Sequence, residues 1–167
     1  MESKVCQVAD ADYELTDHDV RAYYPSLILA TGIYPQQIGV DFIRIYREWY
    51  MRRNAPGGAK DRSEDASLSK AERVAAKKES NSLKTLLNAV FGHLGNMWSI
   101  FYAPSEMIQV TVGGQLMLLM LIEMLEIWGI QCVSANTDGI VLRTHKSQVP
   151  LRNECIAWWE RVTGFET

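Results

Sequence analysis

Two β-like segments, LTDHD at 15–19 and QCVSANTDGIVLRT at 131–144, stand more than a hundred residues apart with almost wholly helical patterning between them. The crossover between them is long enough to let the two segments sit side by side. Each segment ends on an acid. Asp19 closes the first, and Asp138 sits between Thr137 and Gly139 at the polar tip of the second. A lone Asp in a turn ordinarily bonds its own backbone and nothing more. The second acid changes that reading, because the crossover is long enough to lay the segments side by side. Two carboxylates at adjoining strand ends suit a hard divalent cation such as Mg²⁺, which takes oxygen ligands and retains waters and phosphate oxygens.

The intervening chain has its own order. After the first strand, VRAYYPSLILA predicts a turn at Pro25, with helical geometry disfavoured at Tyr24 before it, and then an apolar helix. From Asp41 to Arg53, Phe42, Ile45, Tyr46 and Trp49 recur at helical spacing. NAPGGAKDRSEDAS reads as an exposed loop. Ser69 with Glu72 then has the form of a capping box opening a second helix, expected to run to about Phe91 before Gly92 and Gly95 end it. The two helices form an antiparallel hairpin tipped by a flexible loop. On the second, Lys77, Asn81, Lys84, Asn88 and Phe91 fall on one stripe, and Leu83, Leu86, Leu87, Val90 and Leu94 on another about 120° away. The apolar stripe is packing; the polar one is either a solvent face or a line of donors. A long helix follows at about 105–128, apolar nearly all round and therefore expected to be buried on most sides. Its apolar stretch, Val110–Ile122, is shorter than the roughly 20 residues of a spanning helix. An amphipathic helix is predicted over 151–165, with Ile156 and Trp159 inward.

Length and composition set the outer bounds. The 167 residues, 47% hydrophobic and 22% charged, suit one globular domain or a compact domain with an insertion. Net charge is −3, so nothing global announces a nucleic-acid binder, but its distribution is uneven. Asp41–Lys84 carries 11 Lys+Arg against 7 Asp+Glu, or +4, and the remainder 6 against 13, or −7. A basic insert thus sits on an acidic body. Cys6, Cys132 and Cys155 lack metal-ligand spacing, which fits a reducing compartment. His18, His93 and His145 have no ligand-like spacing either. The acidic start is not a secretory signal, and the expected location is the cytoplasm, with no membrane partner.

At three places the residues resemble the family B DNA polymerases. DVRAYYPSL is similar to their motif A, Asp-x-x-Ser-Leu-Tyr-Pro-Ser-Ile; KTLLNAVFG resembles motif B, Lys-x-x-x-Asn-Ser-x-Tyr-Gly; and ANTDG resembles motif C, Asp-Thr-Asp-Ser. The three stand in the family's order, with a helical hairpin where the family has its fingers. TVGGQ, Thr111 to Gln115, resembles a Thr-x-x-Gly-Arg element with Gln for Arg. The style of the motifs is bacteriophage-like, which would make the location the host cytoplasm. The resemblance implies an α+β fold: a palm, a ferredoxin-like antiparallel sheet backed by helices, with an inserted fingers hairpin. Its parts would be 1–40 (palm with motif A), 41–92 (fingers with motif B) and 93–167 (palm with motif C and a last helix). Nothing here resembles an exonuclease or a thumb, so the expectation is a palm-and-fingers piece, excised or working with a partner protein.

Carried over residue by residue, the resemblance makes Asp19 and Asp138 the catalytic metal-binding carboxylates, helped by the Val20 carbonyl. They would hold two Mg²⁺ ions, with Mn²⁺ as a substitute. Lys84 would contact the triphosphate, and Asn88 would lie near the incoming nucleotide. Backbone amides of Ala22, Tyr23 and Tyr24 would cradle phosphates. Tyr24 would be the steric gate against a 2′-hydroxyl, and Phe91 replaces the usual Tyr, keeping a stacking surface. The implied partners are primer–template DNA and deoxynucleoside triphosphates. Asn136 stands in place of motif C's first Asp, either as an uncharged ligand or as a turn former, while Ala22 and Gly139 replace serines at positions expected to be undemanding. That loss of charge, with the missing thumb, motivates the alternative of a non-catalytic nucleic-acid-binding or assembly module on a degenerate palm. A reverse transcriptase or RNA polymerase palm is disfavoured, because those more often place adjacent acids in this hairpin.

Overall fold

A computed structural model describes residues 8–167; the reading of Cys6 lies outside them. The described residues are α+β, with a three-stranded antiparallel sheet and six α-helices. They part into two compact units: the chain up to Tyr23 together with Val112–Thr167, and Tyr24–Thr111.

The first unit holds the sheet. Strands β1 (Tyr13–Asp19), β2 (Gln131–Ala135) and β3 (Gly139–His145) lie in the order β1-β3-β2. The central strand, β3, buries Ile140, Leu142 and Thr144 at every second position, the period-2 signature of a strand with one covered face. β1 pairs with β3 from Tyr13↔His145 to Asp19↔Gly139, so the two β-like segments do lie side by side. β2 joins β3 with an irregularity between Cys132 and Ser134. A last helix, α6 (Val149–Thr163), buries Ile156 and Trp159, as its spacing predicts, and Cys155 as well. Arg152 of α6 is also buried and forms an ion pair with Glu14 of β1, with a further bond to the Thr16 hydroxyl at 3.2 Å.

The second unit is helical: the body of α1 (Tyr23–Thr31), then α2 (Asp41–Asn54), α3 (Ala59–Glu64), α4 (Lys70–Leu94) and the start of α5 (Pro104–Ile127). α2 and α4 form the expected antiparallel hairpin. The Tyr46 hydroxyl donates to the Leu87 carbonyl at 2.9 Å, and Arg53 Nε donates to the Ser80 carbonyl at 3.1 Å. The capping box at Ser69 is present in both directions.

Four expectations need correction. The stretch 54–67 is not all loop: α3 forms within it, and Ala59 is fully buried. Gly58 makes the entry possible, since a Cβ there would stand 2.7 Å from the Ala55 carbonyl oxygen. Pro25 does not delay the helix; α1 begins at Tyr23, because a first-turn proline lacks only an N–H that has no intrahelical partner anyway. Leu86 of the apolar stripe faces solvent. The largest difference is α5, which is not buried on most sides. Val112, Leu116 and Leu119 are exposed along it, and its most apolar window is only 28% buried. By length and composition it is long and apolar enough to cross a membrane.

Candidate active site at the strand ends

In the first unit, register brings the two acids to one end of the sheet. Asp19 is the direct partner of Gly139, the residue after Asp138, and the Val20 N–H donates to the Asp138 carbonyl at 2.7 Å. This bond continues the ladder one step past β1 and ties the strand end to the hairpin turn. Asp19 and Asp138 are both exposed, whereas Val20 is buried. Among the described residues, no hydrogen bond or ion pair engages either carboxylate. His18, beside Asp19, donates or accepts at the Thr16 hydroxyl, 2.9 Å away. Burial, with the Arg152 charge adding to it, holds its pKa below the ordinary imidazole value.

The turn is shaped by Asn136. Its Oδ1 accepts from the backbone N–H of Asp138 at 3.0 Å and of Gly139 at 2.7 Å, so both lone pairs of that oxygen are used. Of the two uses open to it in the sequence, the structure shows turn formation. Position 139 is closely packed: an added Cβ would stand 3.0 Å from the His18 carbonyl oxygen and 3.1 Å from the Asp19 Cα. That constraint was invisible in the sequence, because it depends on which residue β1 lays opposite.

Between β1 and α1, Ala22 adopts φ 48, a left-handed conformation that costs a non-glycine residue about 1–2 kcal/mol. The preceding residue is clamped from the last stretch of the chain. The Arg21 N–H donates to the Glu166 carbonyl at 2.7 Å, and its guanidinium pairs with the Glu166 carboxylate at 3.0 Å. Nothing in the local sequence of Arg21 signals this clamp. Tyr23 is a core side chain, its hydroxyl donating to the Gly114 carbonyl and its ring edge-on to Phe165 at 5.5 Å.

In the second unit, Tyr24 and Phe91 are brought together, their rings stacked at 4.0 Å between centroids and 7° between planes. Lys77, Asn81, Lys84 and Asn88 lie on an exposed face of α4, and no hydrogen bond or ion pair engages Lys84 or Asn88 among the described residues. Several arginines of this unit are occupied instead. Arg52 and Arg62 both pair with Glu79, at 2.6 and 2.9 Å, and together they hold its carboxyl below the usual range. Arg53 is bonded within the hairpin.

The donor chemistry of the strand ends fits a hard cation: two solvent-facing carboxylates with no other partner. The described residues hold no group of three or more His, Cys, Asp or Glu placed for a metal. That suits a site completed by backbone, water and substrate oxygens rather than a closed protein cage.

No family model and no curated protein matches the sequence. By structure, the chain is similar to the family B DNA polymerase from the hyperthermophilic archaeon Pyrobaculum calidifontis, with a TM-score of 0.67 over 95% of this chain and 15% sequence identity. It spans 24% of that polymerase chain. The fold is that of a region of a family B DNA polymerase; at this identity the likeness speaks for the fold alone.

Proposed function

We propose that the chain is the palm-and-fingers region of a template-directed DNA polymerase, adding deoxynucleotides to a primer 3′-hydroxyl with release of pyrophosphate. The observation that carries this reading is the pairing of Asp19 with Gly139 and of the Val20 amide with the Asp138 carbonyl. It sets two unengaged carboxylates at one end of a sheet in a polymerase-like fold. The sheet is read as the palm, of ferredoxin-like type, and the α2–α4 hairpin as the fingers; bacteriophage-like character rests on motif style.

In this reading Asp19 and Asp138, with the Val20 carbonyl, hold the cations. Bound there, Mg²⁺ lowers the pKa of the attacking hydroxyl and offsets the charge of the triphosphate and leaving pyrophosphate. Lys84 donates to the triphosphate from the exposed face of α4, with Asn88 one turn on. The backbone N–H groups of Ala22, Tyr23 and Tyr24, at the left-handed bend between strand and helix, receive phosphate in this reading. Tyr24, braced by Phe91, packs under the sugar. Primer–template DNA and any thumb or partner protein lie beyond what the present residues provide.

The test is Mg²⁺-dependent primer extension by the 167-residue chain. Asp19→Ala and Asp138→Ala should each abolish it with the fold retained by circular dichroism. Extension that survives both substitutions would reject the assignment. The uncharged Asn136 favours the second reading, a non-catalytic nucleic-acid-binding module. That reading gains if the chain binds DNA yet shows no metal-dependent binding of deoxynucleoside triphosphates.

A further inference from the structure

The bend at Ala22 is gripped on both sides by residues far away in the chain. Val20 gives its N–H to the Asp138 carbonyl and Arg21 gives its own to the Glu166 carbonyl, each at 2.7 Å. On the other side, the Tyr23 hydroxyl donates to the Gly114 carbonyl and the Tyr23 ring stands edge-on to Phe165. Between these grips Ala22 holds φ 48 without being glycine. A residue keeps such a conformation only where its surroundings over-determine it, and backbone of this kind gathers at binding and catalytic sites.

Residues 164–167 supply two of the grips and are themselves fastened. Gly164 caps α6 in the left-handed region at φ 74. Phe165 is then buried, its ring against Tyr23 and Trp159. The Thr167 N–H and hydroxyl both donate to the Glu160 carboxylate at 2.8 Å. From this anchored stretch Glu166 reaches Arg21 twice, through its carbonyl and through its carboxylate at 3.0 Å. All of these residues belong to the first unit. Phe165 and Thr167 fasten the stretch to the body; the double hold on Arg21 acts on the backbone beside the bend.

We propose that Glu166 is a positioning residue for the triphosphate. Paired with Arg21, it keeps the bend at Ala22 in the one conformation in which the following N–H groups receive phosphate, and it touches neither substrate nor metal itself. This role rests on the reading of the Ala22–Tyr24 amides as a phosphate cradle. Such amides hold the triphosphate alike before and during the reaction. The carboxylate therefore sets nucleotide affinity rather than the chemical step.

The experiment is primer extension at varied deoxynucleoside triphosphate concentration, for the unaltered chain, Glu166→Gln and Glu166→Ala. Glu166 is exposed, so neither substitution opens the core. Both remove the same charge, and only Gln keeps an acceptor for the guanidinium. Glu166→Ala should raise KM several-fold above Glu166→Gln with kcat little changed, the scale on which an exposed ion pair acts. A merely structural role lowers the folded fraction, and so the apparent kcat, and leaves KM alone. Equal KM in the two variants, or a fall in kcat alone, overturns this inference while the polymerase reading stands. An unaltered chain without extension fails that reading and takes the inference with it. Hydrogen exchange at the Arg21 amide gives a second measurement that requires no activity. It should be slow in the unaltered chain and faster in Glu166→Ala, and exchange at the rate of an open amide in the unaltered chain overturns the proposal.

Discussion

Tyr23 and Tyr24 are chain neighbours with identical side chains and different surroundings. The first is buried, its hydroxyl on the Gly114 carbonyl; the second is half-buried against the face of Phe91. A stacked pair of this kind contributes about 0.5–1.5 kcal/mol beyond its buried area, enough to hold one ring orientation over several. If Tyr24 excludes ribonucleotides, then Tyr24→Ala should admit them and Phe91→Ala should do so more weakly, by several-fold, because the ring is present but unbraced. The ratio of deoxyribonucleotide to ribonucleotide incorporation checks both, and an unchanged ratio in Tyr24→Ala removes the gate from this position. Which tyrosine faces inward was not legible from YYP, since two identical neighbouring side chains carry no period.

Among the elements, α4 was the most legible. Its apolar stripe, its capping residues and its length all point to one helix, and the observed end at Leu94 lies one turn past the expected one. Glycine weakens a helix without ending it, and Gly92 lies within α4. Ser69→Ala removes the acceptor for the Glu72 N–H and should destabilise the hairpin by about 1 kcal/mol, read as a lower urea midpoint for unfolding of the helices. A midpoint unchanged within error would mean that α2–α4 packing alone sets the helix start. α3 was not legible, because six residues rich in charge carry no period. It exists because Ala59 finds a buried place beside α4, which is a tertiary fact.

At the scale of the whole molecule, α5 raises the sharpest question. It was expected inside, yet Val112, Leu116, Leu119, Ile127 and Trp128 are exposed. Two side-chain donors nonetheless reach its backbone: Tyr23 at the Gly114 carbonyl and Trp159 Nε1 at the Met117 carbonyl, 2.9 Å away. From Val112 on, α5 is thus docked within the first unit while Leu116 and Leu119 stay bare. Bare apolar surface of this extent favours association. Leu116→Lys with Leu119→Glu should reduce concentration-dependent association in light scattering without lowering the melting temperature. Association undiminished by the pair would place its source elsewhere on the surface.

The long helices, their hairpin, and the two acids at strand ends were readable from the order of residues, because hydrophobic period, caps and turn chemistry act over a few positions at a time. The three-dimensional fold supplied what depends on distant partners. Folding set Asp19 opposite Gly139, engaged Asn136 in the turn, clamped Arg21 to Glu166 and left one side of α5 uncovered. Strand register and surface coverage are settled by contacts between segments far apart in the chain, and no local pattern encodes them.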